Sequence, residues 1–179
     1  IAVVAASNCA AHTAASIARS YDAHPLPPGV DGVVSFPHSD GCGHAPGPDL
    51  VQFRRTISGV LDHPNVSGAL IVGLGCEDNE VSWYLGSDRI TGLTLQASGG
   101  TRATVEAGRR AIDGMIERAR AEQRTETPAS KIVLGLNCGG SDSFSGITAN
   151  PSLGWCSDRL VELGAQVEPL DLLDDFRLE

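Results

Sequence analysis

Aromatic side chains are scarce: Phe, Tyr and Trp make up 4% of the 179 residues, and there is a single Met. A core therefore has to be built from Val, Ile, Leu and Ala. Long apolar runs are absent as well. None approaches the ~20 residues that a membrane-spanning helix needs, so no membrane partner is expected. Basic residues are few, 13 Lys and Arg against 22 Asp and Glu, which leaves a net charge of −9. An acidic surface repels phosphate backbones, so no nucleic-acid partner is expected either. No basic leader precedes Ile1-Ala-Val-Val, and no signal peptide is expected. No C-x-x-C occurs, which excludes a thioredoxin-type motif and a zinc ribbon. The five cysteines are odd in number and widely spaced. Reduced thiols in a cytoplasmic protein are the expectation, rather than a disulfide framework.

What is present is a regular alternation. Glycine (21) and proline (10) cluster at the ends of short apolar runs, as tight turns around a sheet would require. Strands are predicted at Ile1–Ala6, Gly32–Phe36, Ser67–Leu74, Ile90–Gln96 and Lys131–Leu136, with a weaker one at Ala165–Leu170. Helices are predicted at Ala11–Tyr21, Pro48–Leu61, Thr101–Gln123 and Pro151–Leu163. The third has the plainest helical period, with Val105, Ile112, Met115 and Ile116 on one face. Strand-helix alternation implies βαβ units: an α/β fold with a mainly parallel sheet and helices on both faces, Rossmann-like in kind. Residues 1–179 read as a single domain, the polar stretch 123–130 being too short for a domain linker.

The residues that follow the strands carry the chemistry. The first strand ends in Ser7-Asn8-Cys9 and the second runs into His38-Ser39-Asp40-Gly41-Cys42. The third ends in Gly75-Cys76-Glu77-Asp78-Asn79, the fourth in Gln96-Ala97-Ser98-Gly99-Gly100-Thr101, and the fifth in Asn137-Cys138-Gly139-Gly140-Ser141-Asp142. In an open parallel sheet the carboxyl ends of the strands share one edge, and ligands bind in the crevice there. A lone cysteine after a strand is commonly a small buried residue. Four of them at one edge point instead to a shared site. Cys156, inside a predicted helix, is expected to be structural. The turn Ser98–Thr101 opens the long helix, and its free N–H groups, with Arg102 alongside, suit an anion. It is not a Walker A loop, and no G-x-G-x-x-G follows the first strand.

The runs SNCAAHTA, HSDGCG, GALIVGLGCEDN, QASGGTRATVEAG and LGLNCGGSDSFSGITANPSLG resemble the altronate/galactarate dehydratase family, which also includes the large subunit of sulfolactate sulfo-lyase. The resemblance extends from Ile1 to about Gly164. It implies a core portion of a longer enzyme, with a smaller domain before it and more chain after it. It also implies removal of water from a hexonic or hexaric acid to give a 2-keto-3-deoxy acid, a hydro-lyase reaction that depends on iron. Position 97 departs from the family pattern, with Ala97 where Glu is expected. Two alternatives stand beside the dehydratase: a sulfo-lyase of the same family, and a domain that keeps the fold without the activity.

Carried over by the matching motifs, Cys9, Cys42, Cys76 and Cys138 are the candidate metal ligands, for a ferrous ion or an iron–sulfur cluster. His38 is a further nitrogen ligand or the first choice for acid–base work, followed by Glu77 and Asp142. Gln96, Gly99, Gly100, Thr101, Arg102, Asn137, Ser141, Thr148 and Asn150 are the expected contacts of a small anionic sugar acid. Arg102 or Arg55 would meet its carboxylate with two parallel hydrogen bonds. Uncovered apolar edges make a homo-oligomer, such as a dimer, a reasonable expectation.

Overall fold

A computed structural model describes residues 1–40, 42–137 and 142–169. The chain divides into two compact units, Ile1–Gln123 and Arg124–Glu179. The first is a four-stranded parallel sheet of β1 (Ala2–Ala5), β2 (Val34–Phe36), β3 (Ala69–Gly73) and β4 (Ile90–Thr94), in the order β2-β1-β3-β4. Its ladders run Ala2 to Val34 and Ala69, and Ala69 to Ile90.

Every residue of β1 and β3 is buried, so these strands read as unbroken apolar runs, not as alternating ones. Successive side chains still point to opposite faces. Val3, Ala5, Leu70 and Val72 pack against Ile17 of α1 (Asn8–Arg19) and Ile112 and Met115 of α4 (Thr101–Ala119). Ala2, Val4, Ala69 and Ile71 pack on the other face, against Ile57 and Leu61 of α2 (Pro48–Leu61) and against Val81 and Tyr84 of a 3-10 turn. Helices thus cover both faces, as the βαβ pattern requires. Burial of each large aliphatic here contributes ~1.5–3 kcal/mol. Gly108 lets α4 lie close to its neighbours: a Cβ there would meet Ile17 Cδ1 at 2.6 Å.

Two boundaries differ from the sequence reading in a way that matters for the site. α1 begins at Asn8 instead of Ala11, with Ser7 extended at its N-cap, so Asn8 and Cys9 belong to the first helical turn. β4 stops at Thr94, and Leu95–Ser98 form a short helix α3. Gly99 (φ 87°) and Gly100 (φ 101°) then reverse the chain into α4, a left-handed pair that side chains disfavour.

The second unit pairs β5 (Val133–Leu136) with β6 (Gln166–Pro169) in parallel, as a separate two-stranded sheet. Between them lie α5 (Ser143–Ile147) and α6 (Ala149–Glu162), neither of which buries a residue. No helix among the described residues is long and apolar enough to cross a membrane.

Candidate active site at the carboxyl edge of the sheet

The strand order places a topological switch between β1 and β3: the chain leaves β1 for β2 on one side and comes back to β3 on the other. Crevices at such points are where open parallel sheets bind ligands. Here the switch lies between Ser7-Asn8-Cys9 and the turn Leu74–Asn79.

Backbone hydrogen bonds stitch the turns together. Asn8 N–H donates to the Asp40 carbonyl (2.7 Å), Asp78 N–H to the Cys42 carbonyl (3.0 Å) and Gln96 N–H to the Leu74 carbonyl (3.0 Å). The turns after all four strands of the first unit are therefore linked, and the carriers of Cys9, His38, Cys42, Cys76 and Gln96 share one edge.

His38 Nε2 lies 2.8 Å from the Ala5 carbonyl. A carbonyl only accepts, so Nε2 carries the proton and Nδ1 presents a lone pair. That Nδ1 is buried without a partner among the described residues, as is the hydroxyl of Ser7. The ring stands edge-on to Phe53, with centroids 4.9 Å apart, while His44 stacks on the same Phe53 at 5.1 Å. A backbone carbonyl on one ring nitrogen and a free lone pair on the other is an arrangement suited to a base or to a metal ligand.

Cys9 and Cys76 are exposed and Cys42 is partly so. Desolvation, with Cys42, Cys76 and Glu77 acting in the same sense, raises the pKa of the Cys9 thiol above the ordinary value. Cys9 Sγ also lies 3.4 Å from Asn8 Oδ1.

Glu77 is only 4% exposed. Its Oε1 accepts from Leu74 N–H (2.8 Å), and its Oε2 accepts from Gly75 N–H (2.6 Å) and Cys76 N–H (3.0 Å). Both oxygens accept from the turn, so the carboxylate shapes the loop that presents Cys76. Gly73 and Gly75 make room for this packing: a Cβ on Gly73 would sit 2.1 Å from Glu77 Oε1, and one on Gly75 2.9 Å from Gln96 Oε1. Gln96, Gly99, Gly100, Thr101 and Arg102 are exposed at the start of α4. Ala97 is exposed beside them, and so is Arg55 on α2.

Sequence reasoning passed over Asn79, Arg54 and Ser7. Asn79 is 1% exposed and joins two turns, and Arg54 lies 3.9 Å over the Trp83 ring while its Nη2 donates to the Asp78 carbonyl. An amide in G-C-E-D-N gives no hint of a partner 73 residues away. Ser7 followed by a helical pattern was a legible N-cap signal.

In the second unit, Asp142 Oδ1 accepts from Phe144 N–H (2.7 Å) and Ser145 N–H (3.0 Å), capping α5. Thr148 Oγ1 donates to the Phe144 carbonyl (2.7 Å) where α5 meets α6. Asn137 and Asn150 are exposed, as is Cys156, which makes no core contact of the kind a structural cysteine would. Cys138 and Ser141 lie outside the described residues. Among the described residues, no group of three or more His, Cys, Asp or Glu side chains is close enough to hold a metal ion.

Comparison with known proteins places the chain in a family. A family model for the second domain of D-galactarate dehydratase/altronate hydrolase matches residues 1–120, and one for the C-terminal part of D-galactarate/altronate dehydratase matches residues 129–169. The chain belongs to the D-galactarate dehydratase/altronate hydrolase family. Among relatives in this dehydratase family, altronate dehydratase of Bacillus subtilis (strain 168) is 34% identical over 152 residues, covering 83% of this chain and 30% of that protein. Altronate dehydratase of Escherichia coli (strain K12) is 34% identical over 157 residues, covering 84% of this chain and 31% of that protein. Galactarate dehydratase (L-threo-forming) of Escherichia coli (strain K12) is 35% identical over 132 residues, covering 67% of this chain and 25% of that protein. The chain thus spans under a third of the length of these dehydratases.

Proposed function

We propose that this chain supplies the β1/β3 edge of the active site of a hydro-lyase that removes water from a hexonic or hexaric acid, of the altronate or galactarate type. The observation that carries the reading is His38: its Nε2 faces the Ala5 carbonyl, and its Nδ1 is buried and, among the described residues, unpartnered at the carboxyl edge of the sheet. Dehydration of a hydroxy acid needs a base for the proton next to the carboxylate, and the departing hydroxide needs a proton or a Lewis acid. The lone pair of His38 suits the first task. Exposed N–H groups at the start of α4, with Thr101 and Arg102, suit the substrate carboxylate, and Gln96 suits a hydroxyl.

Iron is the proposed cofactor, to stabilise charge on the substrate carboxylate and the leaving oxygen. Its proposed ligands are Cys9, Cys42 and Cys76, together with Cys138. The thiolate and imidazole donors match iron chemically, and ligation would have to draw the three described thiols closer together. Asn137, Ser141, Thr148 and Asn150 are proposed as hydroxyl contacts, and Glu77 and Asp142 as further acid–base groups. The site of action is proposed to be the cytoplasm, and the assembled protein to be a homo-oligomer.

The test is product analysis. The protein, anaerobic and supplied with ferrous ion, is incubated separately with D-galactarate, D-altronate and sulfolactate. A 2-keto-3-deoxy acid from either sugar acid supports the reading. Sulfite from sulfolactate alone would replace it with the sulfo-lyase reading, and no product from any of the three would favour a domain without activity.

A further inference from the structure

Two turns meet at the switch point, one carrying Cys9 and the other Cys76, and a single buried side chain spans them. Asn79 Nδ2 donates to the Ala6 carbonyl at 2.8 Å, at the root of the Ser7-Asn8-Cys9 turn. Asn79 Oδ1 accepts from the Tyr84 hydroxyl at 2.7 Å and from Arg54 Nε at 3.3 Å. Arg54 Nη2 reaches the carbonyl of Asp78 at 2.8 Å, and its guanidinium lies over Trp83. The amide therefore gives to β1 and takes from the 3-10 turn and α2 at once, which only a group with both a donor and an acceptor can do. Glu77 holds the β3 turn together internally, whereas Asn79 fixes it to β1.

We infer that Asn79 is a positioning residue, whose amide sets the Cys9 turn against the Cys76 turn and so fixes the width of the crevice at the switch point. Its role in dehydration rests on the functional reading above, but its geometric role does not. An aspartate in its place would keep the size and both acceptor contacts, yet would set a carboxylate oxygen against the Ala6 carbonyl oxygen. The turns would then be pushed apart.

The test reads the two turns directly. The full chain, with Cys42, Cys138 and Cys156 replaced by serine, keeps Cys9 and Cys76 as its only thiols. It is treated with dibromobimane, which becomes fluorescent on bridging two neighbouring thiols. With Asn79 present, bridging is expected. In Asn79→Asp and Asn79→Ala it should slow by about tenfold, while alkylation of single thiols by monobromobimane and the far-ultraviolet circular dichroism stay unchanged. Tyr84→Phe removes an acceptor contact but keeps the bond to Ala6, and should bridge within about twofold of the parent. Unchanged bridging in both Asn79 variants, or an equal loss in Tyr84→Phe, would overturn the inference, and so would a parent chain that does not bridge. Turnover of galactarate by the chain with all five cysteines is read separately. In Asn79→Asp kcat should fall by ~10–100-fold with KM changed far less. No turnover in the unsubstituted protein would count against the dehydratase reading and leave the bridging result to decide on Asn79.

Discussion

In the first unit β1 and β3 are wholly buried, and α1 alone places Ala10, Thr13, Ala14, Ile17 and Ala18 in the interior. In the second, α5 and α6 bury nothing, and Phe144, Ile147 and Trp155 stand 75%, 73% and 67% exposed. The same two ingredients, parallel strands and amphipathic helices, give opposite results. Four strands with helices on both faces close a core, while among the described residues the two helices of the second unit keep their large apolar side chains exposed. The edge with Cys9, His38 and Cys76 therefore stands on a scaffold that packs by itself.

The sharpest way to break this contrast is to cut a hole in the core of the first unit. Ile112→Ala, which removes a fully buried side chain between α1 and α4, should cost ~2–5 kcal/mol in denaturant unfolding. A cost under about 1 kcal/mol would mean that the core is not the source of rigidity claimed for it.

A second comparison concerns two carboxylates that do the same job in different surroundings. Glu77 is buried and serves three backbone N–H groups, whereas Asp142 is exposed and serves two. Glu77→Ala should destabilise by ~2–3 kcal/mol, since a charged acceptor is lost and its donors are stranded. Asp142→Ala should cost ~1 kcal/mol, as for an ordinary N-cap. Equal losses would show that burial of the β3 turn does not matter.

Tyr21 offers a pH test confined to the first unit. Its hydroxyl has one proton to donate and two acceptors in range, Asp113 Oδ1 at 2.7 Å and the Arg109 carbonyl at 2.9 Å. Burial, followed by the hydrogen bond and charge of Asp113, raises its pKa well above the ordinary tyrosine value. The folded pKa exceeds the unfolded one, so this contribution is fully present below about pH 10 and is lost as pH rises further. Melting temperature should fall as pH rises above about 10, and fall less steeply in Tyr21→Phe. Parallel curves would remove Tyr21 from the account.

The smallest effect is expected at Trp155. Trp155→Ala should change stability by no more than ~0.5 kcal/mol, as for an exposed position. A loss above about 2 kcal/mol would show that this face is packed in solution.

Much of the scaffold was legible in the sequence because it rests on local signals. The apolar runs of β1 and β3 and the 3.6-residue period of Ile112, Met115 and Ile116 marked the core without any partner being known. Strand ends alone suggested one edge for Cys9, Cys42, Cys76 and Cys138; the turns of the first three adjoin in the first unit, and Cys138 lies outside the described residues. What was not legible depends on partners distant in the chain. That His38 is committed to Ala5, 33 residues away, and that Asn79 bonds to Ala6 are facts of packing. Nor could the sequence show that both oxygens of Glu77 accept from its own turn, since a free and an engaged carboxylate are spelled alike. The uncovered face of α5 and α6 was hidden for a related reason: an amphipathic pattern announces a buried face but not what buries it.

The most direct test of the central claim, that the carboxyl edge of the first unit carries the reacting base, is the effect of His38→Gln on turnover. Glutamine can keep a donor toward Ala5 but offers no basic lone pair. The account predicts that kcat for galactarate or altronate falls by ~100-fold or more, with the melting temperature nearly unchanged. Turnover within a few-fold of the unsubstituted protein would contradict it and move the base elsewhere.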